Sequence, residues 1–154
     1  MSDIIKIFAL GGLDEDGKNM YVVEINDDIF VLDAGMKYPE KSMPGIDVII
    51  PDYTYLIKNK GRIKAYIISH GHDDYMGSLS YVLKDAPAPV YCSKVTSEMI
   101  KDTARKLRND VDIDFNIVET TSEIKIANRK VNFFSTTHSV AQSMGVAIYT
   151  SQGY

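Results

Sequence analysis

The sequence predicts an α/β domain in which a sheet carries helices packed outside it. Three observations lead there. Short apolar runs separated by turn residues meander at the start, strands alternate with helical periodicity in the middle, and the last third is again rich in strands.

Residues 4–10 read as a strand closed by the Gly11-Gly12 turn. Residues 19–25 are a second strand, Asn26-Asp27-Asp28 a hairpin turn, and 29–33 a third strand, so the chain opens as an antiparallel meander. Residues 35–45 form a loop containing Pro39 and Pro44, and 47–50 a short apolar strand stopped by Pro51. Residues 53–60 predict a short helix ending at Gly61. Residues 63–69 are a buried-type strand running straight into His70. Residues 75–84 follow as a helix, with Met76, Leu79, Val82 and Leu83 at helical spacing. Pro87 and Pro89 frame the entry to a strand at 90–92. Residues 96–108 predict a helix capped by Thr96/Ser97, with Met99, Ile100 and Leu107 as its apolar face. Strands are expected at 115–118, 124–127, 131–135 and 144–150. There is no repeat, low-complexity segment or internal linker. The last strand is followed by no polar tail to close a domain, so a truncated chain is expected.

At 154 residues, 45% hydrophobic and 25% charged, the chain is long enough for one core without disulfides. The one cysteine, Cys92, has no internal partner, which fits a reducing compartment. No apolar run approaches the roughly 18 residues of a membrane span, and the N-terminus has no basic region leading an apolar stretch. A cytoplasmic protein with no membrane partner is expected. The net charge of −4 argues against a general basic nucleic-acid face. If the protein handles RNA, positive charge comes from bound metal, a local patch or other parts of the protein.

The sharpest feature is His70-Gly71-His72-Asp73-Asp74-Tyr75, where a buried strand ends and a helix begins. Loops at strand ends present side chains to a crevice. Two histidines flanking one residue can turn to one ion, with Gly71 letting the backbone bend between them. Imidazole nitrogen and carboxylate oxygen suit zinc or a similar divalent metal. Asp74 reads either as a hard oxygen ligand or, like Asp73, as a cap of the following helix. His138, at the end of another strand, is a weak signal alone but completes a three-histidine set beside the first pair. Asp33, before Ala34-Gly35, reads either as a carboxylate orienting a ligand histidine or as a turn residue.

His70 to Tyr75 resembles the His-x-His-x-Asp-His motif of the metallo-β-lactamase superfamily. Ala9-Leu10-Gly11-Gly12, Gly17-Lys18-Asn19-Met20-Tyr21-Val22-Val23-Glu24, Leu32-Asp33-Ala34-Gly35, Gly45-Ile46-Asp47-Val48-Ile49-Ile50-Pro51-Asp52 and Thr137-His138-Ser139 narrow the resemblance to the ribonuclease J family. The resemblance implies an αββα sandwich with a β-CASP insert and a C-terminal domain outside this chain. It also implies a 5′-to-3′ exonuclease and endonuclease acting on RNA, using two divalent ions: zinc, or manganese or magnesium. His70, His72 and His138 would hold one ion and Asp74 would help hold the other, with Asp74 and His72 closest to the chemistry. Tyr75 stands where the motif has its last histidine. A phenol with a pKa near roughly 10 is a poor ligand at neutral pH, so the second ion is expected to be weak or absent. In this the chain resembles the degenerate-site paralogue that some Firmicutes carry beside an intact ribonuclease J, implying a homo-oligomer or a hetero-oligomer with such a paralogue. The family's remaining ligands and its RNA-binding insert would lie beyond Tyr154.

Lys101, Arg105, Lys106 and Arg108 are expected to be a solvated helix face balanced by Glu98 and Asp102 rather than a phosphate track. The ten tyrosines are expected mostly to pack, no phosphate-binding glycine loop is present, and Cys92 is no nucleophile.

Overall fold

The computed structural model describes residues 2–154. Its elements in order are β1 (Ile5–Gly11), β2 (Met20–Ile25), β3 (Asp28–Leu32), α1 (Thr54–Lys58), a 3-10 turn (Lys60–Arg62), β4 (Ile63–Ile67), α2 (Asp73–Met76), α3 (Leu79–Asp85), β5 (Val90–Cys92), α4 (Lys94–Lys106), β6 (Phe115–Ile117), β7 (Glu123–Ile126), β8 (Arg129–Ser135) and β9 (Met144–Ile148). They make two sheets, one of six strands in the order β1-β2-β3-β4-β5-β6 and one of three in the order β7-β8-β9.

The two sheets correct the single sheet read from the pattern of elements, and they agree with the layers the family resemblance implied. Alternation within one strand says which face is buried, not which sheet the strand joins. The opening meander is antiparallel through β3, and β3 to β6 then pair in parallel. Ile29, Phe30, Val31, Ala65, Tyr66 and Ile67 are buried without alternation, as expected of central strands covered on both faces. In the second sheet Ile126, Val131, Phe133 and Met144 join the same apolar cluster as the first sheet, so one core fills the space between the two. Among the described residues every helix precedes β7.

The structure departs from the expected elements at four places. Residues 47–50 make no strand; Ile49 forms only an isolated bridge with Lys37. The helix expected over 75–84 is two helices, α2 and α3, because Ala34 O accepts from the backbone N–H of Ser78 at the break. Helix α4 begins earlier than 96, and its cap is Ser93, whose hydroxyl oxygen accepts from Thr96 N. Thr96 and Ser97 are themselves buried, with Ile100 and Ala104, while Met99 and Leu107 are only half-buried.

A polar clasp fastens the start of the chain to the second sheet. Arg129 donates to both Asp3 carboxyl oxygens at 3.0 Å, and Asn26 Nδ2 and Ser151 N add bonds of 2.7 and 2.8 Å. These donors, Arg129 foremost, hold the Asp3 carboxyl well below its usual range. A depressed carboxyl stabilises the fold fully above its unfolded pKa near 3.8, and the contribution fades as pH falls towards the folded value. Asp3→Asn is therefore expected to lower the denaturation midpoint at neutral pH, with the deficit shrinking only as the medium becomes strongly acid. A pH series of urea melts on both proteins checks this.

Candidate metal centre

Three elements bring the histidines together. His70 follows β4 with two residues between, and His72 is the residue before α2. His138 sits in the loop joining β8 to β9. That loop is pinched at its base by Thr136 N donating to Ser143 O at 3.1 Å and by the two hydroxyls at 2.8 Å. Gln142 Oε1 accepts from Val95 N in α4, and Met144 N donates to Ser69 O, so the loop is tied to both layers. The ring centroids of His70 and His72 are 4.9 Å apart, those of His70 and His138 4.2 Å, and those of His72 and His138 4.9 Å. One nitrogen from each ring lies within 4.8 Å of the others.

These residues fit a divalent ion. His70 is 4% exposed. Its Nδ1 lies 2.8 Å from Ser69 Oγ, and its Nε2 is buried without a hydrogen-bond partner. An unpaired buried nitrogen is costly, and a cation shared with two further imidazoles would satisfy it. Burial, with the neighbouring His138 and His72 adding to it, lowers the His70 imidazole to about 4, against a weaker opposing pull from Asp74. His70 is therefore neutral at pH 7, the form that binds metal.

The turn carrying these ligands is fixed through its carbonyls. Those of Asp73, Asp74 and Tyr75 accept from the backbone N–H groups of Met36, Asn19 and Ala34 at 2.9, 3.0 and 2.7 Å. Asn19 Nδ2 gives Asp74 O a second bond of 3.0 Å. Asp33 has φ +61, the left-handed region expected of a turn residue, and its carboxyl accepts from Ser69 N at 2.8 Å. The turn reading describes its backbone, and its carboxyl holds the residue before His70 rather than a histidine ring. Burial pushes its carboxyl up to about 7, against the Ser69 bonds that favour the ionised form.

The structure separates the remaining candidates. Asp74 does not reach the three-nitrogen cluster; it acts on His70 and Asp33 by charge and lines a cleft of about 380 Å³ with Asp16, Gly17, Lys37 and Tyr38. Neither Asp73 nor Asp74 caps α2, which has no side-chain cap. Asp73 instead accepts from the Tyr38 hydroxyl at 2.7 Å and the Thr103 hydroxyl at 3.3 Å. The Tyr75 ring lies 4.3 Å from His70, centroid to centroid. Burial raises its phenol, and the Asp74 and Asp33 charges add to the rise, so it stays protonated. Gly71 has no positive φ; it supplies room, because a Cβ there would meet Met99 Sδ at 2.3 Å. The basic residues of α4 pair along the helix, Lys94 and Lys101 with Glu98, Arg105 and Lys106 with Asp102. Sequence reasoning gave no role to Ser69 or to the Asn19 side chain. A hydroxyl directly before a strand-end histidine was the available signal for Ser69; none marked Asn19.

A three-imidazole cluster at strand ends, between two facing sheets, defines a metal-hydrolase type of centre. Residues 13–150 match the metallo-beta-lactamase superfamily, and the chain belongs to it. The chain is similar to Ribonuclease J 2 of Staphylococcus aureus (strain NCTC 8325 / PS 47), 44% identical over 149 residues, covering 97% of this chain and 27% of that protein. Similarity to Ribonuclease J 2 of Streptococcus pyogenes serotype M3 is 45% over 159 residues, covering 99% of this chain and 28% of that protein. The chain thus spans little more than a quarter of the length of these relatives. Among solved structures, a protein of unknown function from Enterococcus faecalis V583 aligns with TM-score 0.72 at 16% identity, covering 96% of this chain and 41% of that one. A B3 metallo-beta-lactamase with an active-site glutamic acid aligns with TM-score 0.58 at 13% identity, covering 92% and 53%. At such identities these two speak for the fold alone.

Proposed function

We propose that this chain is the N-terminal part of a ribonuclease J-type enzyme, a cytoplasmic metal-dependent phosphodiester hydrolase acting on RNA, with one sound metal site and one weakened site. The observation that carries the reading is the buried, unpaired His70 Nε2 among three converging imidazoles, in a chain similar to two Ribonuclease J 2 proteins. His70, His72 and His138 would hold one divalent ion, zinc by donor chemistry, with manganese or magnesium as alternatives. When bound, such an ion polarises a phosphoryl oxygen and makes water more acidic. The chain's own residues supply the setting. His70 stays neutral and keeps a lone pair available. Asp74 adds negative charge next to the cluster, while His72 faces a groove of about 440 Å³ shared with Met76, Met99, Thr103 and Lys106. The remaining ligands and the RNA-binding surface would come from the rest of the protein.

Full-length protein is expected to degrade 5′-monophosphorylated RNA when supplied with zinc or manganese; decay equal to a chelator-treated control rejects the reading. Tyr75 favours a second reading, a catalytically poor subunit that binds an active ribonuclease J paralogue or RNA. A protonated phenol beside His70 is a hydrogen-bond donor rather than a ligand. Tyr75→His in the full-length protein is then expected to raise both cleavage rate and bound metal several-fold. If the unaltered protein is already as fast, the poor-subunit reading fails.

A further inference from the structure

Ser69 is held by a buried carboxyl through its backbone and touches the most buried of the three imidazoles through its hydroxyl. Ser69 N donates to Asp33 Oδ1 at 2.8 Å, and Ser69 Oγ is 2.8 Å from His70 Nδ1. Its carbonyl, in turn, accepts from Met144 N in the second sheet at 3.1 Å, so the residue cannot drift. A hydroxyl is both donor and acceptor. Held 2.8 Å from the ring by its backbone anchors, the hydroxyl oxygen can accept from His70 Nδ1–H. That leaves His70 Nε2, the buried atom without a partner, as the bare nitrogen facing the cluster.

We infer that Ser69 is a positioning residue: anchored by Asp33, its hydroxyl holds His70 in the Nδ1–H tautomer with Nε2 turned to the metal. The inference rests on the metal-site reading above. Ligand histidines commonly donate their second nitrogen to a carboxylate, and losing such a partner typically costs about 10–100-fold in metal affinity. In this chain the partner of that second nitrogen is a serine hydroxyl, on a residue whose backbone N–H is held by Asp33. The backbone bond from Ser69 N to Asp33 does not depend on the side chain, so Ser69→Ala removes only the hydroxyl's part of the chain of bonds.

The test uses full-length protein with Ser69→Ala and Ser69→Thr. One arm reads the His70 tautomer in metal-free protein by nitrogen-15 histidine resonances, assigned by their loss in His70→Gln. The other arm measures zinc affinity by competition with a chelator. The parent and Ser69→Thr are expected to show a single Nδ1–H tautomer, Ser69→Ala a mixture. Zinc affinity is expected to fall about 10-fold or more in Ser69→Ala and to return to within about threefold in Ser69→Thr. Tautomer unchanged in Ser69→Ala, or a threonine variant as impaired as the alanine one, overturns the inference. A parent that binds no zinc overturns the metal-site reading instead, and the tautomer arm still decides the role of Ser69.

Discussion

Replacing His138 by alanine is expected to weaken zinc binding by more than about 100-fold while leaving the denaturation midpoint nearly unchanged. The two halves of that expectation come from different observations. His138 is exposed, on a loop whose base is held by Thr136, Ser143 and Gln142 rather than by its own ring. Its removal therefore leaves no cavity and no broken bond in the core. Yet its nitrogen is one of three within 4.8 Å of one another, and two imidazoles alone make a far weaker zinc site. His70→Ala is a useful contrast. That residue is buried, so its loss is expected to cost both metal and stability. Chelator competition and urea melts on the two variants separate the effects. Zinc affinity unchanged in His138→Ala would remove that residue from the site.

Gly35→Ala is expected to destabilise the protein by about 3 kcal/mol or more. A Cβ at Gly35 would lie 1.7 Å from the Asp74 carbonyl oxygen and 2.7 Å from Asn19 N. Both are backbone atoms that no rotamer change can move aside. They also bond one another at 3.0 Å, and Gly35 N donates to Asn19 O at 2.9 Å. Making room for a methyl group thus means separating the ligand-bearing turn at 72–75 from the strands beneath it. Zinc affinity is expected to fall together with stability. Gly61→Ala is the control, since a Cβ there meets nothing within 4 Å; a change below about 0.5 kcal/mol is expected. Equal urea midpoints for Gly35→Ala and the parent would contradict the packing described.

How much of this was legible in the sequence follows from how local each determinant is. The opening hairpin was, because Asn26-Asp27 suits a tight turn and Ile25 pairs with Asp28 across it. So was the strand into His70, because Ile63 to Ile68 is apolar apart from Lys64. The β7–β8 turn was not, since Ala127 and Asn128 both take positive φ and alanine does not signal that conformation. The break between α2 and α3 was hidden for another reason: it depends on Ala34 accepting from Ser78, a contact from a segment far away in the chain. The meeting of His138 with His70 and His72 could be anticipated only by treating two strand ends as neighbours. The family resemblance supplied that step, and periodicity did not. Asp74 stands outside the histidine cluster, in keeping with the resemblance, which assigns it to the other ion; its carbonyl is held by Asn19, a contact that the motif spacing does not announce.

The central claim is that His70, His72 and His138 share one ion. Anomalous diffraction at the zinc edge, from crystals of the full-length protein grown with zinc, addresses it directly. The account predicts a single strong peak among the three imidazoles, within about 2.0–2.1 Å of a nitrogen from each. A zinc peak elsewhere in the protein, with none between these rings, would contradict it.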